Sequence, residues 1–298
     1  MKKRTFSNPV GVSRYTGLLL VMPFVIGFIL FTLYPFVSSF ITGMYSYDSI
    51  RRPEFAGLGN YREILSNREF ISAVAVTLKY TAMLVPLKLI VSLAAALLLS
   101  LEAKGMGIFR TVFYIPSILG ANLAIVIMWQ YLFTSDGLVN QFLQLVGALP
   151  VSWYGEGNAA MFMIVLLRVW EFGSTMIIFL SRLRDIPSEL YDAAKTDGCG
   201  KFRAFFYITL PQLKSVIFVN LVLQTIAAMQ EFNAPYMITG GGPLKKTYSL
   251  GMLIYDEMFR FSDAGRANAV SWLLFVFIAV IVGVMFRLTK NSKGGDEI

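Results

Sequence analysis

The sequence predicts an all-α, polytopic membrane protein with six transmembrane helices and both termini inside, N-in/C-in. Three observations carry that fold class. Hydrophobic residues make up 56% of the 298-residue chain and charged ones 15%, and the mean hydropathy is +0.63, whereas a soluble domain is about half apolar and about a quarter charged. Six apolar runs reach the roughly 20 residues that a bilayer-crossing helix needs. The basic residues also fall unevenly on the connections between those runs.

The first run, 17–42, is too long for a signal-peptide core, carries Pro23 and Pro35, and lacks a small-residue cleavage site, so it reads as an uncleaved helix. The others span roughly 72–100, 111–133, 159–180, 213–232 and 267–287. Residues 1–16 and 288–298 remain as cytoplasmic tails around a six-helix transmembrane domain at 17–287. With the N-terminus inside, the inner segments carry Lys2, Lys3, Arg4, Arg14, Lys104, Arg110, Arg182, Arg184, Lys195, Lys201, Arg203, Lys214, Arg287, Lys290 and Lys293. The outer ones carry only Arg51, Arg52, Arg62, Arg68, Lys245, Lys246 and Arg260. The positive-inside rule selects this orientation. The net charge of +8 is thereby a topology signal, and nucleic-acid binding is not needed to explain it.

The chain contains no His and one Cys, Cys199. The commonest general base and metal ligand are therefore absent, as are an internal disulfide and a Cys-rich metal site. Gly240 to Thr247 superficially suggests a phosphate-binding loop, but the G-x-x-x-x-G-K-[ST] spacing requires Gly where Lys245 stands, and no strand precedes it. No catalytic, cofactor-binding or metal-binding residue is assigned.

The inner connection between the fourth and fifth spans, about 182–212, is far longer than a passive connector requires. Pro187 and Ser188 start a helix with Glu189 in its first turn, Gly198 closes it in a left-handed conformation, and a second short segment from Lys201 to Leu210 is broken by Pro211. The order Asp192-Ala193-Ala194, Gly198, then Ile208-Thr209-Leu210-Pro211 resembles the EAA loop of permease subunits in binding-protein-dependent ABC importers. Further stretches resemble the carbohydrate-importing, maltose-type branch: Phe55 to Tyr61, Phe109-Arg110, Tyr114-Ile115-Pro116, Gly137 to Asn140, Ile186-Pro187 and Thr239 to Pro243. The resemblance covers roughly residues 20–287.

It implies a type I ABC importer permease architecture in a bacterial cell membrane. It further implies a coupling helix seated on a separate ATPase, with Asp192 at the motif's usual Glu position, Gly198 at the bend, and Ile208, Leu210 and Pro211 docking the loop against the permease. The implied partners are a second permease subunit forming a heterodimer, two ATP-binding subunits that bind ATP and Mg, an extracytoplasmic solute-binding protein, and a sugar or oligosaccharide. An amphipathic interfacial helix with a Gly cap is the bland alternative, and it leaves the whole spacing unexplained.

Intramembrane charge costs about 2.5–3.5 kcal/mol per residue on insertion scales, so Lys88, Arg168 and Glu171 require a reason. Arg168 and Glu171 stand three apart and can pair, either as a structural ion pair or as a polar wall of the translocation path. Lys79, nearer the outside, reads as snorkelling. On the fifth span Asn220, Gln224 and Glu231 share a face, with Asn233 beyond it. Trp129, Gln130, Trp170 and Tyr236 could complete a sugar site of hydrogen-bonding groups and aromatic platforms, or could serve as interface anchors and bundle packing. Three rival functions remain at this stage: an ion-coupled secondary transporter or channel, a non-transporting scaffold or sensor, and an importer of a polyol or glycerol phosphate.

Overall fold

The computed structural model describes residues 14–46, 53–101, 105–120 and 122–292. Lys2, Lys3, Arg4, Arg51, Arg52, Lys104 and Lys293, all used in the topology reading, lie outside them. Among the described residues four helices are each long and apolar enough to cross a membrane: α1 (Gly17–Thr42), α3 (Arg68–Leu99), α10 (Lys201–Met229) and α13 (Ala264–Ser292). Two bent pairs pass the same test together, α4 (Met106–Leu119) with α5 (Leu123–Leu132), and α7 (Gly157–Trp170) with α8 (Gly173–Arg184), the latter pair bent by 48°; counting each pair as one span gives six. Short helices occupy the connections: α2 (Gly59–Ser66), α6 (Leu138–Leu145), α9 (Ser188–Thr196), α11 (Asn233–Thr239) and α12 (Leu250–Tyr255). Among the described residues the one departure from an all-helical fold is an antiparallel ribbon of β1 (Tyr45–Ser46) and β2 (Glu54–Phe55).

Long apolar runs become helices here because a helix satisfies its backbone groups internally where lipid offers no partners. Two prolines inside such runs do not end them. In α1 and α10 a π-helical turn, Ile29–Leu33 and Phe205–Thr209, precedes Pro35 and Pro211 by one residue. The N–H groups of Tyr34 and Leu210 reach back five residues, to Ile29 O and Phe205 O. The wider turn accommodates a ring that brings no N–H of its own. The expected break at Pro211 is therefore corrected: the segment from Lys201 runs unbroken into the fifth span.

Two apolar cores hold the bundle. One gathers α3, α7 and α8 around Met163, Ile164, Leu167, Met176 and Phe179. The other gathers α2, α12 and α13 around Ile64, Leu250, Leu253 and Val270. By contrast α1 buries none of its most apolar stretch. It touches the body near its C-terminal end, where Trp272 packs on Phe36 and Phe40 at 4.7 and 4.8 Å between ring centroids and donates from Nε1 to Ser39 Oγ at 3.1 Å. Beside this contact, Arg266 bridges Glu257 at 3.2 Å and also pairs with Glu63 of α2. Burial pushes the Glu257 carboxyl up, and Arg266 partly offsets this.

Candidate functional site

The fourth span breaks at Glu171 and Phe172, between α7 and α8, halfway along the run from Gly157 to Arg184. The helices pack closely at the break, where a Cβ on Gly173 would lie 2.5 Å from Phe113 O. Backbone groups freed there are satisfied by neighbouring helices, as membrane burial demands. Ser117 Oγ donates to Glu171 O at 3.1 Å and accepts from Ser174 N at 3.0 Å, and Ser92 Oγ approaches Phe172 O at 3.3 Å while donating to Lys88 O at 2.6 Å.

A second break follows α10. Arg168 joins the two: Nη1 donates to Glu171 Oε2 at 2.8 Å and Nη2 to Glu231 Oε1 at 2.7 Å, with all three side chains 10–16% exposed. Glu231 Oε1 also accepts from Ala234 N at 3.0 Å, holding the start of α11. Lys88 is buried and acts electrostatically on Glu171, Arg168 and Glu231. The cluster thus sets two cations against two carboxylates. The buried Tyr80 hydroxyl and Arg168 Nε have no hydrogen-bond partner among the described residues.

The other sequence-selected residues divide around this centre. Asn220 is buried and donates to Val216 O of its own helix, and Gln224 donates from Nε2 to Thr175 Oγ1 at 3.0 Å. Both are engaged inside the bundle. Trp129 and Trp170 face each other at 6.2 Å between centroids, and Trp129 Nε1 donates to Met163 O. Gln130 ties α5 to α11 by donating to Met237 O and Ile238 O. Asn233 is exposed at the start of α11. Tyr236, 41% exposed, belongs to an aromatic group that sequence reading missed: Phe232 and Tyr255 lie 4.9 and 5.0 Å from it, and Phe259 extends the group from Tyr255. Lys79 does not merely snorkel, because its Nζ donates to Asn158 Oδ1 at 2.6 Å.

The loop between the fourth and fifth spans is built as a stand-off helix. α9 buries none of its residues. It ends in a Schellman turn, with Cys199 N donating to Ala194 O and Gly198 N to Lys195 O, and Gly198 at φ +72°. Asp192 pairs with Lys195 at 2.8 Å on the exposed side. Ala193 is also exposed and Ala194 half-buried. Ala204, Thr209 and Leu213 are buried, while Ile208 and Leu210 are half-buried and Pro211 is exposed. The hydroxyls of Tyr191 and Thr209, 2.9 Å apart, fasten α9 to α10. Leu190, Phe202, Phe206 and Tyr207 remain exposed beside them.

Residues 89–292 match the family model described as binding-protein-dependent transport system inner membrane component. The chain belongs to this family. It is 38% identical over 294 residues to the probable ABC transporter permease protein YesP of Bacillus subtilis, covering 97% of this chain and 94% of that one. It is 35% identical over 285 residues to the trehalose/maltose transport system permease protein MalF of Thermococcus litoralis, covering 93% and 94%. Its fold superposes with a TM-score of 0.77, at 21% identity and with 93% and 96% coverage, on a chain from the crystal structure of a bacterial ABC transporter involved in the import of the acidic polysaccharide alginate. The protein is a multi-pass inner membrane permease subunit, non-catalytic in itself. An ion-coupled carrier or channel is not favoured.

Proposed function

We propose that this permease forms half of the translocation pathway of an importer for a neutral sugar or oligosaccharide, with the Arg168, Glu171, Glu231 and Lys88 cluster as the polar centre of the path. The class of solute is supported by the trehalose/maltose relative. The neutral charge is supported by the cluster itself, where two carboxylates already balance both cations. An acidic sugar would find no uncompensated positive charge there. A polar solute gains instead from convergent hydrogen-bonding groups in a site of low dielectric, flanked by the Trp129–Trp170 pair and the Tyr236 group.

The assembly proposed around it contains a second permease subunit completing a heterodimer, an extracytoplasmic solute-binding protein, and two ATP-binding subunits that hold ATP and Mg. Both termini face the cytoplasm. The unburied α9 offers Asp192, Ala193 and Leu190 to a groove on the ATPase, and Gly198 turns the chain back into α10. Competition between neutral and uronic-acid oligosaccharides for receptor-stimulated ATPase activity tests the substrate class. Neutral ligands are expected to stimulate; stimulation confined to acidic ligands overturns the reading.

A further inference from the structure

The connection between the third and fourth spans carries a short helix whose surface is poorly matched to water. No charged residue occurs from Gly137 to Gly155. Within this stretch α6 (Leu138–Leu145) divides its circumference into three sides at about 100° per residue. Val139 and Leu143 pack on the apolar core. Leu138, Phe142 and Leu145, at i, i+4 and i+7, share a second side and are 63, 63 and 84% exposed. Gln141 and Gln144 form the third side and are also exposed.

The helix is not free to swing round and hide its apolar stripe. Gly137 fits against the end of α5 because it has no side chain; a Cβ there would lie 2.4 Å from Leu132 O. Asn140 is buried on the protein side and ties the two ends of the connection together. Its Nδ2 donates to Ser135 O and Val151 O, and its Oδ1 accepts from Val151 N and Trp153 Nε1, each at 3.0 Å. α6 is thereby held at the level where the third span ends. Ile127 and Tyr131, four residues apart and both exposed, carry the outward surface of α5 up to the turn from which α6 starts. At the other end of the connection the Tyr154 hydroxyl donates to Gln130 O at 3.4 Å, so a second exposed tyrosine stands level with the end of that span. Paired aromatic side chains with polar tips at the end of a span mark the membrane–water interface.

A contiguous exposed apolar stripe is the mark of a covered surface. A soluble receptor that docks and departs would leave this one facing water in every cycle. The bilayer is already present at that depth, because the stripe prolongs the outward surface of α5. A helix with an apolar side and an uncharged amide side, fixed at the end of a span, suits the plane of the interface, apolar side toward the acyl chains and amides toward the headgroups and water. We infer that α6 is a non-spanning interfacial helix, its Leu138, Phe142 and Leu145 side seated in the outer leaflet and Gln144 turned to water. Assignment to the outer leaflet rests on the orientation proposed above; contact with lipid does not.

The test uses the complete importer reconstituted in phosphatidylcholine proteoliposomes. In a Cys199→Ser background a nitroxide is attached at one position at a time, through Leu138→Cys, Phe142→Cys, Leu145→Cys or Gln144→Cys, and its collisions with oxygen and with a water-soluble nickel chelate present on both sides are measured by power saturation. Oxygen concentrates in hydrocarbon and the chelate stays in water. The oxygen-to-nickel collision ratio is expected to be several-fold higher at 138, 142 and 145 than at 144. Ratios at 138, 142 and 145 as low as that at 144 show a stripe facing water and overturn the inference. Few collisions with either reagent at those three positions show a protein partner covering the stripe, and overturn it equally. Co-elution with the ATPase establishes that each variant assembles. The leaflet is read separately: Gln144→Cys should react with an impermeant maleimide added outside. Reaction from the cytoplasmic side alone sinks the orientation and leaves the collision ratios to decide the lipid contact, whereas no reaction from either side overturns the placement of Gln144 in water.

Discussion

Replacing Arg168 by Met tests the centre of the molecule most directly. Arg168 is the cation that joins two carboxylates, one three and the other 63 residues from it in sequence, at 2.8 and 2.7 Å, with every partner at least 84% removed from solvent. Removing one partner of a buried ion pair leaves an uncompensated charge and costs about 3–5 kcal/mol. Here the residual charge is two carboxylates against Lys88 alone. At about 2 °C per kcal/mol for a chain of this size, the thermal midpoint in detergent should fall by roughly 6–10 °C. The double variant Arg168→Met/Glu231→Gln leaves Glu171 against Lys88 and should recover most of that loss, because the uncompensated carboxylate is gone and replacing a buried ion pair by neutral groups is often close to neutral in stability. Transport should not recover with it if the cluster contacts the solute, so receptor-dependent uptake in proteoliposomes should stay at least ten-fold below wild type. An unchanged midpoint in Arg168→Met would refute the claim that the network is desolvated. A double variant that transports normally would refute its place in the path.

Gly198→Ala forces an L-side chain into a left-handed conformation at a cost of about 1 kcal/mol, and it should weaken receptor-stimulated ATPase activity while leaving the thermal midpoint of the membrane body in place. Asp192→Ala removes an exposed i,i+3 pair worth a few tenths of a kcal/mol, so a many-fold loss of stimulated ATPase activity there would report a contact with the ATPase rather than a lost helix. Thr209→Val removes the partner of the Tyr191 hydroxyl, worth about 1 kcal/mol, and should speed amide exchange across residues 188–200 several-fold; exchange at the wild-type rate would show that the hydroxyl pair does not fasten the loop.

What the sequence made legible, and what it concealed, follows from how local each determinant is. Apolar runs identify the spans because every residue in them reports the same solvent. The Arg168–Glu171 pair is legible from its spacing, since three residues bring side chains to one face. Glu231 entered only as a residue of the fifth span, and its bond to Arg168 depends on two helix breaks meeting in space. The break at Glu171 is likewise hidden, since the groups that satisfy its backbone, Ser117 and Ser92, stand on other spans. Asn220 and Gln224 share a face as the periodicity indicates, yet that face meets the bundle, where Thr175 takes the Gln224 amide. The docking residues show the sharpest displacement. Regular periodicity from Ala204 puts Ile208 next on the buried face, but the π-helical turn inserts one residue and turns Thr209 inward instead, with Leu213 four residues later. A π turn carries no local composition signal beyond the proline that follows it, and Pro211 by itself reads as a break.

That same turn changes how force can cross the molecule. Had Pro211 ended a short cytoplasmic helix, the loop would join the fifth span through a joint, and movement at α9 would dissipate there. Instead α10 continues from Lys201 to Met229, about 43 Å at 1.5 Å per residue. Its N-terminal end is fastened to α9 through Thr209, and its far end stops two residues before Glu231. A rigid rod between a loop and a charge cluster converts a small displacement at one end into a displacement at the other, and packed ionic clusters respond to such shifts in discrete steps rather than by gradual deformation. Arg168 holds Glu231 and Glu171 in the arrangement described above; tilting α10 lengthens the Glu231 bond first, because Glu171 moves with Arg168 across the same helix end. The Arg168–Glu231 contact is therefore the one expected to open when the loop is driven. A Glu231→Asp variant, one methylene shorter, should shift the population of states without removing the charge, raising basal ATPase activity severalfold in the absence of receptor. Basal activity equal to wild type in that variant would separate the cluster from the lever.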